Sequence, residues 1–265
     1  MKKVILLLCY IMLSAGVAFA AESCFIAKEN GKVLQIEGDC ATRYAPQSTF
    51  KIALSLIGFD SGLLKDETHP LWSLPDGQDP YINVCKEDHD PRTWMRDSCL
   101  WYSRILTNKL GMEKFQDYVT KFSYGNMDLS GDKGQNNGLT QAWLSSSLKI
   151  SPEGQVDFLQ KVVDRKLPIS SRGYNKTKKI MFIQEMAGGW KLYGKTGNGA
   201  QFDKDGNKTD LQHGWFTGYI EKDNRRIVFA SHIADKEKQS TFASFRARNE
   251  ALNKLWYLIN ESLEK

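Results

Sequence analysis

The chain has 265 residues, 41% of them hydrophobic and 25% charged, which suits one globular unit or two intimately joined lobes with a sizeable core. Its formal charge of +5 is too mild to argue for a nucleic-acid partner. Without Lys2 and Lys3 the 36 basic residues become 34, against 31 acidic ones, a charge of +3. There is no internal repeat and no long low-complexity tract.

Lys2 and Lys3 precede an apolar run, Val4 to Leu13, and then Ala18-Phe19-Ala20. A charged start, an apolar stretch too short to span a bilayer and a small-residue cleavage site predict a secretory signal peptide over 1–20, and a mature globular domain over 21–265. The alternatives are a retained membrane anchor and a lipid attachment at Cys9; the latter residue lies too near the start to follow a proper apolar region. Nothing later approaches spanning length, so the expected location is the bacterial periplasm, with no stable membrane anchor.

Cys24 and Cys40 bracket an apparent hairpin, F-I-A-K-E-N-G-K-V-L-Q-I-E, in which Asn30-Gly31 suits a two-residue type I′ turn. An oxidising compartment invites these cysteines to pair, yet perfect hairpin register does not set them opposite each other, so the pairing stays open. Cys85 and Cys99 are expected as free, buried thiols. From Phe50 to about Ile150 the pattern is helical, broken by loops at Leu74–Pro91 and Ser130–Gly138. A further helix is predicted over Pro152–Arg165, capped by Ser151. Strands return at Trp190–Thr196, Trp215–Glu221 and Arg226–Ile233, and an amphipathic helix over about Phe242–Leu263 follows. The predicted class is α+β: a mostly antiparallel sheet built from both chain ends, flanked by helices, with an inserted helical lobe and a cleft between.

Within P-Q-S-T-F-K-I-A-L-S-L-I-G-F, Lys51 interrupts an apolar helix three residues after Ser48. If Ser48 were merely an N-cap, Glu or Gln would suit position 51, because a lysine opposes the helix dipole. Three residues apart, the two side chains share a face, and a desolvated amine can act as a base on the hydroxyl. A second segment, Gly189 to Thr196, fits the G-x-x-x-x-G-K-T phosphate-loop pattern, but its interior W-K-L-Y is bulky and strand-like and no helix follows. Read as a strand ending in Lys195-Thr196-Gly197, it leaves a ligand room at a bare strand edge. Taken singly, Ser98 reads as a helix-capping serine, Tyr124-Gly125-Asn126 as a turn and Trp143 as core. The four histidines show no metal-ligand spacing, and no G-x-S-x-G elbow occurs.

In combination and in order, S-T-F-K at Ser48–Lys51, the serine motif Ser98-Cys99-Leu100, Tyr124-Gly125-Asn126 and K-T-G at Lys195–Gly197 resemble the penicillin-recognising serine enzymes. Since S-D-N is absent, the chain is similar to the class D, oxacillinase-type β-lactamases over essentially its whole mature length. The resemblance implies a β-lactamase/transpeptidase-like fold and hydrolysis of small-molecule β-lactams through a Ser48 acyl-enzyme, by a monomer or homodimer without metal or other cofactor. It further implies a CO2-derived carboxylation of Lys51, held by the Trp143 indole, which makes that lysine general base for both steps. Ser98 would relay a proton to the leaving nitrogen, Lys195 would act electrostatically, and Thr196 would meet the substrate carboxylate. Ser48 and Asn198 backbone N–H groups would form the oxyanion hole, and Tyr124 would help shape the cleft wall. Leu100 stands where the family usually has valine. The family arginine at the start of the last helix has no clear match, and Ser244 or Arg246 is expected to substitute. Two rivals share the outer motifs: a peptidoglycan-processing penicillin-binding protein and a β-lactam sensor domain, both typically parts of longer, membrane-tethered proteins.

Overall fold

A computed structural model describes residues 22–261; the expected signal peptide and the extreme C-terminus lie outside these residues. The first hairpin pairs β1 (Glu22–Glu29) with β2 (Lys32–Gly38). Its turn has Asn30 at φ 51° and Gly31 at φ 79°, the two positive values that a type I′ turn demands. A 3₁₀ turn, Gln47–Phe50, leads into α1 (Lys51–Asp60), followed by α2 (Pro91–Asp97), α3 (Leu100–Leu110), α4 (Met112–Phe122), the short α5 (Gly138–Gln141) and α6 (Pro152–Val163). Then come α7 (Ser171–Met181), β3 (Phe182–Glu185), β4 (Lys191–Phe202), β5 (Lys208–Lys222), β6 (Arg225–Ala234) and α8 (Ala243–Glu261).

The strands form one antiparallel sheet in the order β2-β1-β6-β5-β4-β3. Both chain ends therefore meet in it, as the strand pattern predicts. One face carries α8, whose Ala247, Ala251, Leu255 and Ile259 recur every fourth residue and pack with Phe25, Phe216, Ile220 and Phe229. Gly214 makes this close approach possible, because a Cβ there would lie 2.1 Å from the Ser244 nitrogen. The other face and the helical lobe share a larger cluster centred on α1, where Ile52, Leu54, Leu56, Ile57 and Phe59 are all fully buried. A helix apolar on every side belongs at the centre of its lobe.

Ser151 caps α6 as predicted, its hydroxyl accepting from the Gly154 N–H at 3.1 Å. Two elements have no counterpart in the sequence reading, α7 and β3. Buried positions of α7 include Gly173, Tyr174, Thr177, Ile180 and Met181, a helical stripe in which glycine and threonine weaken the apolar signal.

The cysteines need one completion and one correction. Cys24 and Cys40 are bridged although Cys24 faces Gly38 in the ladder. Gly38 turns the chain at φ 74°, with its Cα so close that a Cβ would lie 1.9 Å from the Ser23 carbonyl oxygen, and Cys40 thereby folds back beneath the hairpin. Cys85 and Cys99, expected as free thiols, are joined in a second disulfide. The 3₁₀ turn Asn83–Lys86 brings Cys85 against the start of α3, a juxtaposition made by a loop whose shape no periodicity encodes.

Replacing Cys85 and Cys99 together by alanine should lower the unfolding free energy by about 3 kcal/mol, read as a lower urea midpoint with a somewhat steeper slope, because the unbridged chain unfolds to a more expanded state.

Candidate active site

Ser48 sits inside the 3₁₀ turn and caps nothing; instead its Oγ accepts a hydrogen bond from Lys51 Nζ at 3.2 Å. The lysine is 1% exposed, at the first position of the buried helix α1. Loss of hydration, with a smaller repulsion from Lys195, drives its amine far below the usual lysine range. Burial thus favours the uncharged amine, the form that can act as a base and a nucleophile, beside a hydroxyl.

Lys195 lies on β4, opposite Thr217 of β5. Tyr193 belongs to the helical-lobe cluster and Leu192 to the α8 cluster, so the pleat turns Lys195 toward the lobe and Thr196 toward α8. Burial brings Lys195 down to about 8, while the Asp97 carboxylate opposes the fall. Its Nζ lies 3.2 Å from the Thr196 carbonyl oxygen. Gly197 acts differently from the expectation of a bare edge alone. A Cβ there would stand 2.9 Å from the Pro46 oxygen and 3.1 Å from the Ser48 nitrogen, so glycine lets the serine turn dock on the strand. The phosphate-loop pattern is a coincidence of spelling, since Gly194–Thr196 are extended residues within β4.

Ser98 ends α2 in the left-handed region, at φ 69°, with its N–H donating to the Trp94 carbonyl at 2.9 Å. Both neighbours are held: Cys99 by its disulfide, and Asp97 by Arg96 at 2.7 Å on each carboxylate oxygen. His89 Nε2 also reaches Asp97 Oδ2 at 3.3 Å and Cys99 Sγ at 3.1 Å. Cys85, His89 and Cys99 bring three ligand-type atoms within 4.8 Å of one another, but the two sulfurs are bonded to each other. Leu100, at the start of α3, is half-buried.

Trp143 is fully buried, its ring centroid 5.7 Å from that of Phe50, and its indole Nε1 has no hydrogen-bond partner. Its carbonyl oxygen accepts from the Gln47 N–H at 3.0 Å, fixing the residue before the serine. Tyr124 does not line an open wall: it is buried behind Phe50, with its hydroxyl 3.4 Å from Gln155 Oε1. Arg246 is not available for a substrate carboxylate, because its Nη2 donates to both Asp235 oxygens at 2.6 and 2.8 Å. Ser244 is 4% exposed, and its N–H is capped by Asn198 Oδ1 at 3.1 Å.

Sequence reasoning missed Gln47 and its partners. Gln47 Nε2 donates to Ser145 Oγ at 2.6 Å and meets His213 Nε2 at 3.2 Å. An amide nitrogen only donates, so His213 accepts there and carries its proton on Nδ1, which donates to His232 Nε2 at 3.3 Å. His213 stands opposite Ala234 and His232 opposite Trp215, so the two histidines meet diagonally across the β5–β6 ladder, and only register could have paired them.

The sequence profile of the penicillin binding protein transpeptidase domain matches residues 24–256. β-Lactamase OXA-9 of Klebsiella pneumoniae is 38% identical over 96% of the chain and 97% of that protein. The chain belongs to the class D β-lactamases. Within that family, OXA-1 of Escherichia coli is 41% identical over 87% of the chain and 83% of its own length. Among solved structures, the class D β-lactamase OXA-427 superposes with a TM-score of 0.85 at 41% identity, covering 90% of the chain and 99% of that structure. This class D chain thus has the fold and family that its motifs imply, and no described helix is long and apolar enough to cross a membrane.

Burial holds His213 at about 4 and His232 further below its ordinary value. The unfolded chain binds these protons near pH ~6.5 and the folded chain does not, so stability is complete above that pH and is lost as pH falls toward 4. Calorimetry should show the unfolding temperature dropping over this window, with a shallower slope in His213→Asn.

Proposed function

We propose that the chain hydrolyses the β-lactam amide through an acyl-enzyme on Ser48 and thereby confers antibiotic resistance. The observation that carries this reading is the fully buried Lys51 side chain hydrogen-bonded to the Ser48 hydroxyl at 3.2 Å, where loss of hydration disfavours the ammonium. Ser48 Oγ attacks the lactam carbonyl carbon as its proton passes to the Lys51 side chain. The oxygen of the tetrahedral adduct is held by the backbone N–H groups of Ser48 and Asn198, an arrangement in which each donor is worth about 2.7–4 kcal/mol. Ser98 passes its proton to the lactam nitrogen as the C–N bond breaks and takes up the proton that Lys51 received from Ser48, which leaves Lys51 a base again for the second step. Lys195, still mostly charged at neutral pH, keeps the Ser98 hydroxyl poised, and Thr196 meets the ring carboxylate. Water activated at Lys51 then releases the product acid and restores Ser48.

Carboxylation of Lys51 fits the residues present. An uncharged amine is the form that adds CO2, and the unpartnered Trp143 Nε1 is a buried donor that lacks an acceptor. When bound, the carboxyl group supplies an oxygen base beside the serine. Trp143 would hold it and the apolar wall of Phe50 and Ile52 would keep water from reprotonating the amine. Residues 1–20 are proposed as an export signal to the periplasm, where the substrates arrive.

Burial of a bare amine costs stability that an apolar side chain recovers. In CO2-depleted buffer, Lys51→Met should raise the unfolding temperature by about 2–4 °C while abolishing hydrolysis of a chromogenic cephalosporin. With the unaltered chain, bicarbonate should restore activity lost on CO2 depletion. A ¹³C carbamate resonance should appear in labelled bicarbonate, weaken in Trp143→Phe and vanish in Lys51→Met; turnover without that resonance refutes the carboxylated base.

A further inference from the structure

A cavity of about 720 Å³ opens where β3 ends and the edge of β4 is left bare. β3 pairs only with Lys191–Tyr193, so Gly194, Lys195 and Thr196 border the cavity with β5 on one side and no strand on the other. Met95 of α2, Met181 and Ile183 of the α7–β3 junction and Phe245 of α8 supply apolar walls. Basic side chains dominate the rest: Arg92, Arg96, Lys179, Lys195 and Arg248, against Glu67 alone.

These cations are not equivalent. Arg96 is neutralised by Asp97, and Lys179 shares Glu67 with Lys176 at 2.8 and 3.0 Å. Among the described residues nothing pairs with the side chain of Arg92, which is exposed, or of Arg248, whose Nε is buried without a hydrogen-bond partner. Arg248 stands one helical turn beyond Ser244, on the α8 face that meets β5, whereas Arg246 is committed to Asp235. A guanidinium on a cavity wall with no carboxylate paired to it among the described residues is an uncompensated cation, which points to an anion that arrives with the ligand.

Position and size say which part of a ligand this is. Thr196 stands at the border of the cavity, and in the reading above it meets the ring carboxylate. The space beyond it is much larger than one carboxylate and is walled by methionine and phenylalanine. We propose that this cavity takes the ring substituent adjacent to the β-lactam carboxylate, as in cephalosporins, and selects substituents that carry a second negative charge, with Arg248 and Arg92 as the specificity residues. The inference rests on the β-lactamase reading of the same site. Arg248, the less exposed of the two, supplies the direct contact, and Arg92 contributes a field from the rim that salt screens.

The test compares two cephalosporins that differ only at this substituent, one neutral and one bearing a carboxylate or sulfonate, in steady-state hydrolysis at low and high ionic strength. Arg248→Gln should lower kcat/KM for the anionic compound by about tenfold, mainly through KM, and change the neutral one by less than about twofold. Arg92→Gln should cost about threefold for the anionic compound at low salt only. Because both substrates are read in one preparation, their ratio is insensitive to any loss of folded protein. Equal losses on the two compounds overturn the proposal, since Arg248 then serves the carboxylate they share or the fold; so does no loss at all. If the unaltered chain turns over neither compound, the β-lactamase reading itself fails; if it turns over both and the variants do not separate them, only this inference does.

Discussion

The structure depends on one uncomfortable burial: an amine at the head of a helix that is otherwise apolar on all sides. Helix α1 must be central because its neighbours exclude water from every face, and Lys51 shares that fate by position. Dehydration, together with the nearby Lys195, disfavours its charged form, which eases the repulsion between two lysines held close together. The cost is spread over a large lobe, in which Trp143, Phe50, Phe115 and Tyr124 pack ring against ring around the base of the serine turn.

Around this amine the chain distributes its other charges unequally. Lys195 is buried as well, yet the Asp97 carboxylate tempers the effect and keeps it near neutrality in its titration. Asp97 is in turn fixed by Arg96 and His89, immediately before Ser98. The loop that presents the second serine therefore also sets the charge of the lysine on the strand. Two serines and two lysines thus form a set whose protonation follows from burial on one side and a single carboxylate on the other.

Much of this was legible in the sequence because it is local. The Asn30-Gly31 turn, the Ser151 cap, the returning strands and the spacing of Ser48 and Lys51 are all written in neighbouring residues. Motif order carried the family, and the amphipathic pattern carried the sheet with its terminal helix. What stayed hidden depends on contacts between distant segments. The Cys85–Cys99 bridge is set by an irregular loop, the His213–His232 pair by strand register, and the withdrawal of Arg246 by an aspartate eleven residues earlier. Helix α7 was hidden for another reason: its buried stripe uses glycine and threonine where a hydrophobic pattern expects leucine.

The glycine that seats the serine turn on β4 has a temporal corollary. Residue 48 touches residue 197, and the glutamine beside it reaches residue 213, so the proposed nucleophile acquires its surroundings only after most of the polypeptide has been made. Long-range closures of this kind come late in folding. A nascent or half-threaded chain carries an ordinary serine, and the surroundings on which the proposed reactivity rests arise only when strand β4 has come to meet the serine turn.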